Sequence, residues 1–428
     1  MRRPLLVVLS LLPFWMVAQS PTLILGEVTH RTASVSIAIN APAHDYYNHL
    51  GWLALGPNNA HHPLRVGETA KCFDDLEPGT VYRIAHITPT SNSNEYDTNY
   101  VTEFSTLEDW QHRKEAPDFS FVTGSCSYIN EESTDRPGDP YGGGYGIYGH
   151  MAAEDADFNL WLGDNLYLRP SDYTSTSGIM RRYFYSRRNE SLSPLLSSRP
   201  NLAIWDDHDA GPNNCLGTFS LMDETRKAFV TYWPRESYGT SEVEDLRWVS
   251  TYSDVVVIGL DNRSHRTSEH AHNPQILGKE QIDWLVSQVR FYRSASFIVV
   301  AIGGQVLNSA AVYENYAQYP QEREYLLSQL AATGYNNLVF FTGDRHHSER
   351  SELEFDGHRM VDFTVSPMTS GPSTVVADEV NENRIGDYID ERNYAVVSVT
   401  GERGQRQMTV IYKNSEGEEI SRHTIDSL

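Results

Sequence analysis

The 428-residue chain is short of cysteine, of positive charge and of long apolar runs. Its three cysteines, Cys72, Cys126 and Cys215, are too few for a disulfide scaffold, and an odd number leaves one thiol over even if two pair. Lys and Arg total 34 against 57 Asp and Glu, a formal charge of −23. A surface of that sign repels phosphate backbones, so general nucleic-acid binding is not expected, although a local pocket made cationic by bound metal is compatible with it. Past the first twenty residues no stretch is long and apolar enough to span a bilayer. What is present is ordinary for a globular protein: 39% hydrophobic, 11% aromatic and 21% charged residues, which excludes disordered and fibrous classes. The length suits two domains.

Arg2-Arg3, an apolar run from Leu5 to Val17 and then Ala18-Gln19-Ser20 have the layout of a signal peptide over residues 1–20. An uncleaved anchor ranks second, because the run is short and Pro4 and Pro13 fall beside or within it. The expectation is an exported protein, periplasmic or secreted, with no transmembrane anchor after cleavage. Residues 21–108 show short alternating runs such as Thr32–Ile39 and Tyr82–Ile87 with turns between them, the pattern of a small all-β sandwich. Leu76-Glu-Pro-Gly-Thr-Val-Tyr82 places a tyrosine just after a Pro-Gly turn, as in the tyrosine corner of fibronectin- and immunoglobulin-like sandwiches. His61-His62 read as loop histidines and Cys72 as a buried thiol. Asp109–Pro117 is a polar linker to a second domain, 118–428.

There the texture changes to strand–helix alternation, which argues an α/β domain with helices covering a sheet. Expected strands are Phe119–Thr123, Phe158–Leu162, Leu202–Trp205, Asp254–Leu260, Phe297–Ile302 and Leu338–Thr342, and the chain returns to β from Tyr394. Leu277, Ile282, Leu285, Val286 and Val289 share one helical face. Ser220-Leu-Met-Asp reads as a capping-box start, Arg181-Arg182 and Arg187-Arg188 as a solvated helical face, and Tyr141–Gly146 as a flexible turn.

In such sheets functional residues lie just past the carboxyl ends of strands. Five of these positions are loaded: Gly124-Ser-Cys126, Gly163-Asp164-Asn-Leu-Tyr167, Asp206-Asp207-His208-Asp209 with Asn213-Asn214 behind it, Asp261-Asn-Arg263, and Gly343-Asp344-Arg-His346-His. Each alone is ordinary turn composition. Together, packed carboxylates demand a counter-charge, and the mixture of hard oxygen, imidazole and thiolate donors suits two different metals side by side.

The ordered set Gly-Ser-Cys, Gly-Asp-x-x-Tyr, Trp-Asp-Asp-His-Asp, Leu-Asp-x-Arg and Gly-Asp-x-His resembles the PhoD-like alkaline phosphatases, a branch of the calcineurin-like metallophosphoesterases. The resemblance covers roughly residues 20–428. It implies a four-layer metallophosphoesterase α/β sandwich behind the small β-sandwich, around a centre of Fe3+ and Ca2+. It also implies roles. Cys126, Tyr167 and His346 would ligate iron, Asp164 would bridge, and Asp344, Asp207 and one of Asn213 or Asn214 would face calcium. Arg263 would grip phosphate oxygens and His208 would protonate the leaving group. Asp209 stands where the family often has Glu, and Asn165 where many members have Tyr. The implied activity is hydrolysis of small phosphomonoesters by attack of metal-bound hydroxide. A phosphodiesterase or phospholipase-D-like enzyme acting on envelope polymers or lipids is the alternative, and a non-catalytic secreted binding protein on the same scaffold a minor one.

Overall fold

The computed structural model describes residues 22–38, 52–55, 60–63, 70–89 and 96–428, so the signal reading over 1–20 and the side chains of His61 and His62 lie outside the described residues. The N-terminal strands are β1 (Thr22–Val28), β2 (Ala33–Ala38), β3 (Trp52–Leu55), β4 (Ala60–Pro63), β5 (Ala70–Phe73), β6 (Val81–Pro89) and β7 (Tyr96–Ser105). They pair into two antiparallel sheets, β1-β2-β5 and β4-β3-β6-β7. Alternating residues such as Val35, Ile37, Ile84 and Phe104 fill the space between them. The tyrosine corner is built: the Tyr82 hydroxyl accepts the Glu77 amide at 2.9 Å. Cys72 is exposed rather than buried, because it falls on the outward face of a short strand.

The remaining chain forms two six-stranded sheets packed face to face. The first contains the parallel strands β8 (Phe119–Gly124), β9 (Phe158–Leu162) and β10 (Asn201–Ile204). The second is built on β11 (Trp248–Tyr252), β12 (Val255–Gly259), β13 (Phe297–Ile302), β14 (Leu338–Thr342), β15 (Glu349–Phe355) and β16 (His358–Thr364). The C-terminal strands β17 (Asn393–Thr400), β18 (Gln407–Asn414) and β19 (Glu419–Asp426) return to the first sheet, giving the orders β10-β9-β8-β17-β18-β19 and β11-β12-β13-β14-β16-β15.

Helices α1 (Gly146–Ala153), α2 (Thr176–Arg187), α3 (Ser193–Ser198), α4 (Asp207–Ala210) and α5 (Met222–Tyr232) accompany the first sheet, and α6 (Lys279–Phe291) and α7 (Pro320–Ala331) cover the second. Strands covered on both faces read as unbroken apolar runs. In β9, Phe158, Leu160 and Leu162 enter the inter-sheet core, while Trp161 faces the helices. Phe121 and Phe341 meet edge to face across the two sheets, centroids 5.6 Å apart. Ile282, Leu285, Val286 and Val289 of α6 pack on Ile258, Val300 and Phe340, as their spacing predicts. The result is helix–sheet–sheet–helix, the expected four layers.

Two local expectations give way. Helix α5 starts after Leu221 with no side-chain cap, so Ser220 is not its capping residue. The reciprocal bond of that kind sits at α4, where Asp209 accepts the Asp206 amide at 3.0 Å. The arginine pairs are not a solvated face either. Arg182 and Arg187 are fully buried, Arg182 held by Asp172 at 2.7 Å and Glu131 at 2.6 Å, and Arg187 lying over Trp233. Only their buried acidic and aromatic neighbours, distant in sequence, make that burial tolerable.

Candidate metal centre

The parallel strands of both sheets end at one place, and the chain turns there under strain. Cys126 (φ 61°), Asp164 (φ 51°), Asp344 (φ 67°) and His346 (φ 56°) all occupy the left-handed region, which non-glycine residues enter at a cost of about 1–3 kcal/mol each. Neighbouring backbone fixes them. Ser127 N donates to Asp164 O at 2.8 Å, the Thr369 and Ser370 amides both donate to Cys126 O, and His346 N donates to the Ser366 hydroxyl at 2.9 Å. Gly163 must be glycine: at φ 91° an added Cβ would lie 2.7 Å from the Cβ of Asp206. Strain gathered at four residues with donor side chains marks a functional site.

Their side chains converge. The thiol of Cys126 lies 3.6 Å from Asp164 Oδ2 and accepts the Ser366 hydroxyl at 3.2 Å. The Tyr167 hydroxyl is 3.2 Å from His346 Nε2, whose Nδ1 is anchored by Gly371 O at 2.6 Å. Three donor groups overlap: Cys126, Asp164 and His346; Asp164, Asp207 and His208; Asp206, Asp207 and Asp344. Asp164 and Asp207 belong to two groups each, the arrangement that lets carboxylates join two cations.

The residues fit metal ions on electrostatic grounds as well. Asp206 Oδ2, Asp207 Oδ1 and His208 Nδ1 are buried with no hydrogen-bond partner among the described residues. Burial pushes Asp164 well above the usual carboxylate range, and Asp207 and Cys126 push it further. Burial with Asp206 and Asp207 raises Asp344 in the same way, and burial raises Cys126 to about 12. Asp207 is held low, because His208 and Arg263 outweigh its burial. Acids and a thiol forced to keep their protons need a multivalent cation to ionise.

A family model described as PhoD-like phosphatase matches residues 121–416, well over half of the chain. The chain belongs to the PhoD-like phosphatase family. Alkaline phosphatase D of Bacillus subtilis (strain 168) is 25% identical over 311 residues, 60% of this chain, and the chain spans about half, 51%, of that curated relative's length. A solved structure of PhoD shares the fold with TM-score 0.76 at 17% identity, covering 95% of this chain and 90% of its own. Purple acid phosphatase PPD1 from yellow lupin (Lupinus luteus) seeds shares it with TM-score 0.68 at 12% identity, covering 95% and 74%.

Of the residues singled out from the PhoD-like motifs, Cys126, Asp164, Tyr167, Asp207, His208, Asp344 and His346 meet at this centre. The asparagines divide. Asn213 lines the cavity, whereas Asn214 donates its backbone amide to Asp207 Oδ2 at 2.6 Å and accepts the Asn213 side-chain amide on its Oδ1. Arg263 takes a different post from the one expected. It is 1% exposed, and its guanidinium is locked by Asp206, by Glu314 at 3.0 and 3.1 Å and by Cys215 O at 3.2 Å, with no donor turned to the cavity. Asp209, accepting the Asn165 and Asp206 amides, is a scaffold acid that burial raises to about 7. Sequence reasoning passed over Asp206, Asn262, Glu314 and Tyr141. Asp206 and Asn262 stood inside quoted clusters, 2.8 Å apart in the fold, while Glu314 lies on a loop with no motif. Tyr141 looked like part of a flexible turn, yet its hydroxyl lies 3.1 Å from His346 Nδ1, and the turn is clamped by Asn130, which accepts Gly142 N at 3.0 Å.

Proposed function

We propose that the chain is an exported, metal-dependent phosphoesterase acting on small phosphomonoesters, with residues 21–108 as a supporting module and 118–428 as the catalytic unit. The observation that carries the reading is the overlap of three donor groups through Asp164 and Asp207 at one cavity. Cys126, Tyr167 and His346 suit ferric iron, and Asp206, Asp207, Asp344 and Asn213 suit calcium, with Asp164 between them. When bound, such cations activate water and neutralise the phosphoryl oxygens as charge gathers on them.

The chain's own residues do the rest. Asp164 and Asp207 fix the spacing. The buried thiol and phenol exclude water from one side, and Arg263 keeps Asp206 and Glu314 in place rather than touching substrate. His208 stacks on Tyr167 with ring centroids 4.1 Å apart; burial holds its ring below the usual imidazole range, and Asp207, 4.0 Å from Nε2, opposes that shift without overcoming it. In its protonated form, with Asp207 as counter-charge, it donates Nε2–H to the departing alkoxide. His208→Asn therefore slows esters of poor leaving groups far more than esters of good ones, and an equal loss for both removes this role.

A second reading, cleavage of diesters, is favoured by the cavity itself. Its volume of about 1140 Å³ exceeds what a small monoester fills. Paired assays on an aryl monoester and its diester analogue, with iron and calcium resupplied after chelation, decide between the two. Hydrolysis of neither by the reloaded protein defeats the proposal.

A further inference from the structure

The cavity above the centre has a wall made by residues 130–141, and this wall is built rather than loose. Asn130 clamps its far end: its Oδ1 accepts the Gly142 amide and its Nδ2 donates to Gly142 O at 2.5 Å. Its middle is pinned where Asp135 takes Arg169 at 2.9 Å and the Tyr128 hydroxyl at 2.9 Å. A loop closed by its own side chains presents its surface ready for a ligand.

Two features of that surface face the cavity. An aromatic row runs outward from the centre: Tyr167 to Tyr128, centroids 4.9 Å apart, and Tyr128 to Tyr141, 4.9 Å. Its outermost ring, Tyr141, is 45% exposed at the rim, with its hydroxyl still on His346. Beside it stands Arg136. Of the two arginines lining the cavity, Arg169 is consumed by Asp135 and by the carbonyls of Tyr167 and Ile129. Arg136 is exposed and has no hydrogen-bond or ion-pair partner among the described residues. Arg263 and Arg345 are both spent on internal carboxylates, so Arg136 is the free guanidinium at this mouth among the described residues. Asp135, the acid nearest in sequence, is already neutralised by Arg169. Glu132 and Asp139 line the same rim but are solvated.

From this arrangement we infer that the 130–141 wall is a leaving-group subsite. Tyr141 stacks a flat group on the ester oxygen, and Arg136 pairs with a second anionic group carried by that leaving group. The inference rests on the phosphoesterase reading and narrows its substrate class: phosphate esters of flat alcohols or phenols that bear their own negative charge. Arg136 lies farther from the donor cluster than Tyr141 along the loop, so it selects the leaving group instead of holding the transferred phosphoryl. A planar guanidinium forks onto carboxylate or phosphate oxygens, which a solvated lysine does less well.

Phenyl phosphate and 4-carboxyphenyl phosphate differ only in that distal charge. Wild type should favour the carboxylated ester in kcat/KM. Arg136→Ala should lower the preference about fivefold, the scale of one rim ion pair, and Arg136→Glu should reverse it. The dissociation constants of the matching phosphonates, measured by calorimetry on the metal-loaded protein, should shift in the same ratio. A preference unchanged by Arg136→Ala in both measurements overturns the subsite, and so does a stronger preference for the 4-trimethylammonio ester. If wild type hydrolyses neither ester but the phosphonate ratio still depends on Arg136, the subsite stands and the phosphoesterase reading falls.

Discussion

Replacing Arg263 by methionine separates two accounts of the same residue. Its motif implies a grip on substrate phosphate, whereas the structure buries its guanidinium between Asp206 and Glu314, with Asp207 a further 3.7 Å contact. Methionine keeps much of the volume and removes the charge. Asp206, fully buried, then faces Asp207 and Glu314 uncompensated. Removing one partner of a buried ion pair costs about 3–5 kcal/mol. For a chain of this size that is about 3–6 °C in melting temperature. Bound metal neutralises the same carboxylates, so the deficit should be largest after chelation and shrink when metal is restored. Thermal melting with and without chelator, metal analysis and kcat/KM on one monoester make the test. The expected outcome is a destabilised variant that retains less metal and loses kcat with it. A variant that melts like wild type, keeps its metal and shows only a raised KM would refute the reasoning and return Arg263 to the substrate.

Cys126→Ser should remove metal selectively from the side shared with His346, leaving elemental analysis with about half the wild-type content; full content in the variant contradicts thiolate ligation. In the metal-free protein Asp164, Asp206 and Asp344 are held above the usual carboxylate range, chiefly by burial, so the folded state binds more protons than the unfolded one and stability should fall as pH rises from 5 to 9. Urea denaturation at three pH values should show this slope without metal and a flatter one with it. At the acid end the sign is opposite. Glu131 and Glu349 are pulled down to about 2, their arginine partners (with His347 for Glu349) outweighing burial, so the stability they contribute is complete above about 4.5 and should be lost as pH falls toward 2. Far-UV circular dichroism across that window checks it.

Much of the α/β part of the chain was legible because its strands are buried on both faces. Phe297–Ile302 reads as an unbroken apolar run and Phe158–Leu162 as one interrupted only by Asn159, and the ends of such runs are where the donors stood. Strands β15 and β16 were missed because Glu349–Phe355 and His358–Thr364 both mix charged with apolar residues, the first of them at a sheet edge. The site's donors were legible as types but not as partners. Nothing local distinguishes an arginine that grips substrate from one locked between Asp206 and Glu314. Glu314, itself in a left-handed turn at φ 62°, is 51 residues from the arginine it holds. Arg182 and Arg187 looked like a solvated stripe because the acids and rings that accept them come from other segments. Tyr141 sat in a glycine-rich turn whose order comes from Asn130, eleven residues earlier.

The central proposal is that one cavity would hold two cations, with Asp164 within reach of both. Element-resolved anomalous scattering from crystals of the protein grown with iron and calcium tests it directly. The account predicts iron against Cys126, Tyr167 and His346, calcium against Asp207 and Asp344, and Asp164 touching both. A single ion, or metal seated instead among His347, Glu349 and Glu379, would contradict it.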